Sequence, residues 1–385
     1  MNHEPLAANQ SCHNCDAAPL KLACGYELFR RVTSDCKPWP TGGRMGACPV
    51  CGLVQAVTDA KWAEESRQIY SSYNIYYQSG GIEQTVFDPA TGRGRPRSDV
   101  IVESLMQSAK LANTGRLLDI GCGNGAFLRS SSRTLPGWSF CGSEFDLRHR
   151  EAVEVISGVD RLYSGSLAEI PGEFDVISLI HVLEHIPAPT AMLKQVATKL
   201  KPGGWLVVEV PDCRVNPFML LVADHASHFS PGSLSAVVGG AGYEIVQAND
   251  AWVAKEISLL ARKPSLKSPP TPACQSVEGE QTFANWKFLD AAITKAEALS
   301  RGSSFGLLGT SIGATWLDAQ LQRSPEFFVD EDPHRTGKQH EGRPIHAVKD
   351  IPTGASVFIV LPRTIAQHVA DRLRPLRPDV NFVSP

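Results

Sequence analysis

Cysteines near the start of the chain recur in two pairs with the same spacing. Cys12 and Cys15 form one C-x-x-C pair, and Cys48 and Cys51 form the other. Each pair makes a turn that aims two thiolates at one ion, and two such turns complete a tetrahedral site of four thiolates. Because all four ligands would come from the protein, no coordination position would stay open. The spacing therefore predicts a structural zinc ion.

Other assignments of these cysteines stay open. The gap between the two pairs is longer than in a common zinc ribbon. Cys24 or Cys36 could replace one of the four ligands. Two separate redox pairs, or thiols without a metal, are the alternatives. A zinc module for nucleic acid is disfavoured, because the block has no stripe of lysine and arginine.

A glycine-rich turn follows a short apolar run in RLLDIGCGNGAFL, residues 116–128. The run predicts a buried strand, the glycines allow the backbone to approach a ligand, and the next residues begin a helix. Dinucleotides use the same arrangement. Asp119 would repel a pyrophosphate, but it suits the cationic amino group of a methionine moiety. Glu144, at the end of the next predicted strand, can accept hydrogen bonds from ribose hydroxyls.

Histidines and acids occur together in two later segments. His181 and His185 follow the predicted strand FDVISLI, while Asp224, His225 and His228 lie on a loop or broken turn before a predicted helix. Histidine changes charge near neutral pH, so it can act as a general base. We expect His225 to take a proton from the acceptor and Asp224 to orient its ring.

The elements that must position these residues fall into three blocks of an α/β protein. Residues 1–95 form a small zinc-binding N-terminal domain with a substrate-lining segment. Residues 96–262 alternate strands with helices, which indicates a mainly parallel sheet in a Rossmann-like domain. A linker over 263–279 leads to a smaller Rossmann-like C-terminal domain over 280–385. The predicted strands of the central block are RLLDIG, WSFCGSE, FDVISLI and GWLVVEV.

Composition narrows the class of protein. The chain has 385 residues, of which 43% are hydrophobic, so it can bury several cores. The net charge is −3 without a basic block, which argues against general nucleic-acid binding. No apolar stretch is long enough to span a membrane. The first residues lack the form of a signal peptide, so we expect a cytoplasmic protein.

The central block resembles the class I S-adenosylmethionine-dependent methyltransferases. The resemblance is carried by LLDIGCGNGAFL, Glu144, FDVISLIHVLEH and LKPGGWLVVEVP over about 115–212. It implies that the glycine turn cradles the methionine end, that Glu144 holds the ribose, and that an acidic-apolar pair meets the adenine. The cofactor-binding residues so assigned are Asp119, Gly121, Cys122, Gly123, Gly125, Glu144, Ser166, Leu167 and His181.

Nearly the whole chain is similar to the zinc-containing sugar C-methyltransferases of deoxysugar pathways. The similarity rests on the block of paired cysteines running into CGLVQ, on VLEHI and DHASHFSP, and on GTSIGATWL with VDEDPHRTGKQHEGRPI. It implies methylation of a carbon beside a ketone in a nucleotide-linked sugar, through an enolate. The alternative is O-methylation of a sugar or glycan. The candidate catalytic residues are His225, Asp224, His185, Tyr76 and Tyr77, and the resemblance places His185 in the cleft.

The third block predicts a second ligand turn. GTSIGA can offer backbone N–H groups to a phosphate, and Arg335 and Lys338 lie near it in the sequence. We expect this turn to serve the nucleotide-sugar acceptor. Asp330 would instead suit the ribose of NAD, which keeps a dinucleotide oxidoreductase as an alternative. A pure binding or assembly protein would require the cofactor residues to be vestigial.

Overall fold

A computed structural model describes most of the chain. The described residues are 10–17, 19–74, 81–83, 85–87, 94–265, 286–302 and 304–385. Tyr76 and Tyr77, and most of the linker predicted over 263–279, lie outside them. No helix among the described residues is long and apolar enough to cross a membrane.

The N-terminal part is built from short strands and one helix. Its elements are β1 (Lys21–Leu22), β2 (Arg31–Val32), β3 (Pro38–Trp39), β4 (Met45–Ala47), β5 (Val54–Ala56) and α1 (Ala60–Ser71), with a 3-10 turn at Tyr26–Leu28. Strands β1, β4 and β5 pair antiparallel in that order, and β2 pairs with β3. Asp59 caps α1 by accepting a hydrogen bond from the backbone N–H of Trp62.

The central part contains a seven-stranded sheet. The strands of this part are β6 (Thr85–Phe87), β7 (Gly94–Pro96), β8 (Gly115–Ile120), β9 (Trp138–Glu144), β10 (Val159–Ser164), β11 (Phe174–Ile180), β12 (Leu200–Pro211), β13 (Ser227–His228), β14 (Glu244–Asn249) and β15 (Glu256–Arg262). Its helices are α2 (Arg97–Ser108), α3 (Ala126–Thr134), α4 (Arg150–Glu154), α5 (Pro189–Lys199) and α6 (Pro231–Gly240), with 3-10 turns at Leu167–Glu169, Leu183–His185 and Pro217–Leu221.

The seven strands lie in the order β10-β9-β8-β11-β12-β15-β14. All pairs except those made by β15 are parallel, which confirms the predicted mainly parallel sheet. Strands β8, β11 and β12 are apolar and buried, as parallel strands covered by helices on both faces must be. The order reverses at β8, so the carboxyl end of β8 is the switch point where open α/β sheets bind ligands.

The C-terminal part forms a six-stranded sheet. Its elements are α7 (Trp286–Ser300), β16 (Phe305–Leu308), α8 (Ile312–Gln320), β17 (Phe327–Val329), β18 (Gln339–His340), β19 (Arg343–His346), β20 (Ser356–Ile359), α9 (Arg363–Leu373) and β21 (Asn381–Val383), with a 3-10 turn at Val348–Asp350. The order is β18-β19-β17-β16-β20-β21, and only β18 pairs antiparallel. Here GLLGTSIGATWL forms the end of β16, a turn and the start of α8.

One strand joins the central part to the N-terminal sheet. β13 pairs antiparallel with β5, so the N-terminal sheet has the order β1-β4-β5-β13. The prediction that the histidines lie on a loop is therefore wrong for His228, which belongs to β13. The predicted helix start is confirmed: the Ser230 side chain accepts a hydrogen bond from the backbone N–H of Ser233 and caps α6.

Candidate cofactor and acceptor site

The turn after β8 brings its backbone close to neighbouring side chains. Gly121 has φ +69°, and a Cβ there would lie 2.3 Å from Cγ2 of Val182. Gly125 has φ +82°, and a Cβ would lie 2.7 Å from Cδ1 of Ile156. Glycine is required at both positions, because positive φ and close approach each disfavour a side chain. The turn thus presents bare backbone at the carboxyl edge of the sheet.

Two acidic side chains flank this turn. Glu144 accepts hydrogen bonds from the backbone N–H groups of Gly123 at 2.5 Å and Phe145 at 3.0 Å. Asp119 is buried and accepts a hydrogen bond from the hydroxyl of Ser178 at 2.7 Å. Burial raises the pKa of Asp119 to about 7, and the charge of Glu144 adds to the rise, whereas the Ser178 hydroxyl opposes it. A cationic group arriving at Asp119 would favour its ionised form.

The remaining residues predicted for the cofactor lie along the same edge. The Cys122 side chain is buried within the turn. Ser166 is exposed and caps the turn Leu167–Glu169 through a hydrogen bond from the N–H of Ala168, while Leu167 is buried. Phe145, which the sequence analysis did not single out, is 87% exposed directly after Glu144. Its only sequence signal was its place beside that acid.

The second group of predicted residues meets around Asp224. Ser34 donates two hydrogen bonds to the Asp224 carboxylate, one from its backbone N–H at 2.9 Å and one from its hydroxyl at 2.5 Å. Nδ1 of His185 lies 3.3 Å from Oδ2 of Asp224 and 3.1 Å from its backbone oxygen. The prediction that Asp224 orients His225 is therefore wrong. Its carboxylate is turned toward His185, and the His225 ring instead stands edge-on to the His185 ring at 4.7 Å.

This arrangement gives the two neighbouring histidines opposite protonation. Burial lowers the pKa of His185, but the hydrogen bond and charge of Asp224 and the charge of Glu184 outweigh it and raise the pKa to about 9. Burial and the positive charge of His185 hold the pKa of His225 well below its usual range. At neutral pH His185 is a proton donor, and His225 is a neutral acceptor.

The N-terminal part holds the chain segment that carries these histidines. The indole N–H of Trp62 donates to the backbone oxygen of Ala223 at 3.0 Å. The N–H of Ala56 donates to the oxygen of Ala226 at 3.0 Å. A ring nitrogen of His13, between two of the paired cysteines, lies 3.3 Å from the hydroxyl of Ser227. The histidine segment is thus fixed from outside the central sheet.

A buried group of acids lies beside the histidines. Glu184, Glu209 and Glu256 are 1%, 0% and 7% exposed. Nδ1 of His181 lies 3.3 Å from Oε1 of Glu184, and Nε2 lies 3.8 Å from Oε1 of Glu209 and 3.6 Å from Oε2 of Glu256. We call these three glutamates and His181 the acid pocket. The sequence did not single out these glutamates as a group, because Glu184 lies within VLEHI, Glu209 within LKPGGWLVVEVP and Glu256 at the start of β15, far apart in the chain.

The paired cysteines converge. The four Sγ atoms of Cys12, Cys15, Cys48 and Cys51, which we call the four-cysteine cluster, lie within 4.8 Å of one another. The backbone N–H groups of Val50 and Cys51 both point to Sγ of Cys48 at 3.4 Å, as at a turn that holds a thiolate. Cys24 is exposed and does not belong to this cluster. The donor set is one that suits tetrahedral zinc.

The predicted ligand turn of the C-terminal part is closed by ion pairs. The Thr310 hydroxyl donates to Asp330 at 2.5 Å. The Arg335 guanidinium donates to the Thr310 hydroxyl at 3.0 Å and lies 3.5 Å from Asp330. Asp332 lies 3.7 Å from the same guanidinium. Arg335 is therefore near the turn, as predicted, and it is already paired with acids.

Comparison with known proteins identifies the central part. Residues 97–248 match the family model described as a methyltransferase domain. This part of the chain is a class I methyltransferase domain. The match covers the glycine turn, Glu144 and the histidines, and S-adenosylmethionine is the cofactor of such domains. It confirms the first resemblance, whereas the resemblance to sugar C-methyltransferases stays a prediction.

Curated relatives share the methyltransferase domain. A ubiquinone biosynthesis O-methyltransferase of Burkholderia thailandensis is 27% identical over 154 residues, which cover 34% of this chain and 66% of that enzyme. The enzyme of the same name from Chromobacterium violaceum is 30% identical over 115 residues, 28% of this chain and 49% of that enzyme. The chain thus spans less than two thirds of the length of these relatives, 66% of one and 49% of the other.

Solved structures also align with part of the chain. Human N-acetylserotonin methyltransferase, solved in complex with its cofactor, aligns over 42% of this chain and 51% of its own with 20% identity and a TM-score of 0.36. A putative sarcosine dimethylglycine methyltransferase from Galdieria sulphuraria aligns over 53% of this chain and 99% of its own with 14% identity and a TM-score of 0.41.

Proposed function

We propose that the protein transfers the methyl group of S-adenosylmethionine to a small-molecule acceptor bound beside His185 and His225. The residues at the switch point fit the cofactor: bare backbone at Gly121 and Gly125, an acid for the amino group at Asp119, and an acid for the ribose at Glu144. When bound, the cofactor supplies a methyl group already activated by the sulfonium. The protein must then hold the acceptor and remove its proton.

The contrast between the two histidines carries this proposal. A neutral His225 can accept a proton, and a protonated His185 in ring contact with it can donate a hydrogen bond to the oxygen on which negative charge develops. Ser34 and Asp224 keep His185 in place. Asp224 thus acts as a positioning residue for the donor.

For the acceptor we propose a nucleotide-linked keto-deoxysugar. His225 would take the proton from the carbon beside the ketone, and the resulting enolate oxygen would receive a hydrogen bond from His185. The enolate carbon would then form the new bond to the methyl group, while the electrons of the broken bond stay on sulfur. Tyr76 or Tyr77 stays proposed as a second donor to the oxygen. The whole-chain resemblance supports this assignment.

A second candidate function is O-methylation. The curated relatives are named O-methyltransferases, and their similarity covers the methyltransferase domain. The same His225 would then remove a hydroxyl proton. In this reaction no enolate forms, so the α-carbon of the acceptor keeps its hydrogen throughout.

Deuterium exchange separates the two candidates. A panel of nucleotide-linked keto-sugars is incubated in deuterated water with isotopically labelled S-adenosylmethionine and measured by mass spectrometry. C-methylation predicts exchange of the α-proton and its loss in His225→Ala, with cofactor binding unchanged. His368→Ala, an exposed histidine of α9, is the control. Methylation without α-carbon exchange would establish the second candidate, and full turnover by His225→Ala would remove the residue from the mechanism.

We propose that the four-cysteine cluster holds a structural zinc ion. Its four thiolates would fill the coordination sphere, so zinc would act through folding rather than through the acceptor. Cys48→Ser should lose the metal and destabilise the N-terminal part, whereas Cys24→Ser, at an exposed cysteine, should keep both. Metal analysis of freshly purified protein checks this, and a zinc content near zero in the parent protein would refute it.

A further inference from the structure

The acid pocket holds more hydrogen-bond acceptors than the described residues satisfy. Both carboxylate oxygens of Glu184, Oε1 of Glu209 and Oε2 of Glu256 are buried and receive no hydrogen bond from the described part of the chain. Oε2 of Glu209 accepts from the hydroxyl of Ser258 at 3.2 Å. Buried acceptors without donors are costly, so a ligand that brings donors would stabilise this pocket.

The pocket lies where an acceptor molecule must bind. His181 follows β11, Glu209 lies near the end of β12, and Glu256 begins the antiparallel β15, so all three share the sheet edge that carries the glycine turn. Glu184 and His185 are consecutive residues of one 3-10 turn. The His181 side chain is 24% exposed, whereas the three glutamates are buried. A molecule in contact with His185 is therefore next to the acids.

Charge decides what kind of donor fits. Three glutamates face His181, whose pKa is lowered by burial and by the charge of Arg97. Three cations lie nearby: the Arg97 guanidinium is 3.8 Å from Glu209, Lys255 acts on Glu256, and the protonated His185 acts on Glu184. Glu83, which accepts hydrogen bonds from Ser98, adds a further negative charge close by. The pocket is thus acidic when its carboxyl groups are ionised, and a positively charged donor offsets that charge where a hydroxyl does not.

We propose that the acid pocket binds a protonated amine on the acceptor molecule, close to the atom that is methylated. This inference rests on the proposed function, and it names a class of acceptor: molecules that carry an ammonium group near the nucleophilic centre. Glu184, Glu209 and Glu256 would receive its N–H donors, while His185 and His225 act on the neighbouring atom.

Proton release should accompany amine binding. Burial raises the pKa of Glu209 to about 7, with Arg97 opposing, and raises the pKa of Glu256 well above its usual value, with Lys255 and Arg97 opposing and the neighbouring glutamates adding to the rise. Near neutral pH the empty pocket therefore keeps some of its carboxyl groups protonated. An ammonium favours their ionised form, so affinity for the amine should rise with pH from about 6 to 8.

The experiment compares cyclohexylamine with cyclohexanol, two rings of sugar size that differ in the charged group. Full-length protein with ¹³C-labelled histidine and saturated with S-adenosylhomocysteine is titrated with each probe, and the ring resonances of His181 are followed by NMR. We expect the amine to bind at least about tenfold more tightly than the alcohol. In the double variant Glu209→Gln/Glu256→Gln, the amine should no longer bind more tightly than the alcohol.

Glu173→Gln is the control, because this exposed glutamate lies just before β11, at the end of that strand away from His181 and the acid pocket. Thermal unfolding and cofactor binding of each variant show that it is folded. Equal affinity for the two probes, binding of neither, or an unchanged preference in the double variant would overturn the amine assignment while cofactor binding persists. Loss of cofactor binding in the parent protein would instead refute the proposed function.

Discussion

The central and C-terminal parts each place a glycine turn after the first strand of a parallel sheet, and the two turns are built alike. The N–H of Gly121 donates to the oxygen of Ser143 at 2.7 Å, and the N–H of Gly309 donates to the oxygen of Val329 at 2.8 Å. In both, the next residue along the neighbouring strand is an acid: Glu144 in the central part, Asp330 in the C-terminal part.

The difference lies in what holds the acid. Within the described part of the chain, Glu144 is held by backbone N–H groups, which leaves a carboxylate that ligand hydroxyls can join. Asp330 is held by Thr310 and by the cation of Arg335. The two turns therefore share a topology but differ as sites. The Glu144 carboxylate can still accept a hydrogen bond from a neutral donor, whereas the charge of Asp330 is already neutralised by Arg335. The fold alone does not determine which ligand binds. The group that pairs with the acid at each turn, backbone N–H or arginine, distinguishes the two sites.

The largest expected effect comes from adding a methyl group to each turn. Gly121→Ala should destabilise the protein by about 2–4 kcal/mol and abolish cofactor binding, because positive φ and the contact with Val182 add up. Gly309 also has a positive φ, +116°, but a Cβ added there would have no atom closer than 3.7 Å. Gly309→Ala should cost about 1–2 kcal/mol and leave cofactor binding unchanged. Thermal unfolding and calorimetry measure both, and equal effects would contradict the contrast.

Removing the two acids sharpens the comparison. Glu144→Ala should weaken S-adenosylmethionine binding by about 1–3 kcal/mol, because charged hydrogen bonds are lost. Asp330→Ala should not alter it, since Asp330 belongs to the other sheet. Calorimetric titration of both variants is the measurement. Unchanged affinity in Glu144→Ala would exclude this residue from the cofactor site.

Asp119 predicts a pH dependence for the central turn. The pKa of this buried carboxyl is raised to about 7 in the free protein, so its ionised form becomes populated as pH rises through that value. Since the cationic amino group of the cofactor would favour the ionised form, affinity should increase between about pH 6 and 8. Asp119→Asn should bind more weakly and show a flatter profile over this range. A parent profile without this rise would disprove the assignment.

The smallest effect is expected at the closed turn. Arg335→Gln removes a partly exposed cation that pairs with Asp330. The free energy of unfolding should therefore change by less than about 1 kcal/mol. If the turn serves the nucleotide of the acceptor, uridine or thymidine diphosphate should bind more weakly to this variant. Lys349→Gln, a neutral substitution of a cation elsewhere in the C-terminal part, is the control. Saturable NAD binding without diphosphate binding would reverse the nucleotide-sugar assignment.

The sequence predicts elements and motifs well, because both depend on neighbours along the chain. The strands β8, β9, β11 and β12, the helix that follows His228 and the converging cysteines follow from apolar runs and short spacings. It could not show that Asp224 turns toward His185 instead of its neighbour His225, because the direction of a side chain is set by tertiary contacts. Ser34 and the glutamates of the acid pocket were missed for the same reason.

The pairing of β13 with β5 has a consequence for how the protein comes into being. Ser34 and Asp224 are 190 positions apart in the chain, and the donor histidine depends on their contact. During synthesis, the N-terminal sheet cannot gain its last strand, β13, until most of the central sheet has been made. Pairing between strands so far apart in the chain is slow. Catalytic competence should therefore appear late in folding, after the cofactor turn, whose contacts are nearer in sequence, has already formed.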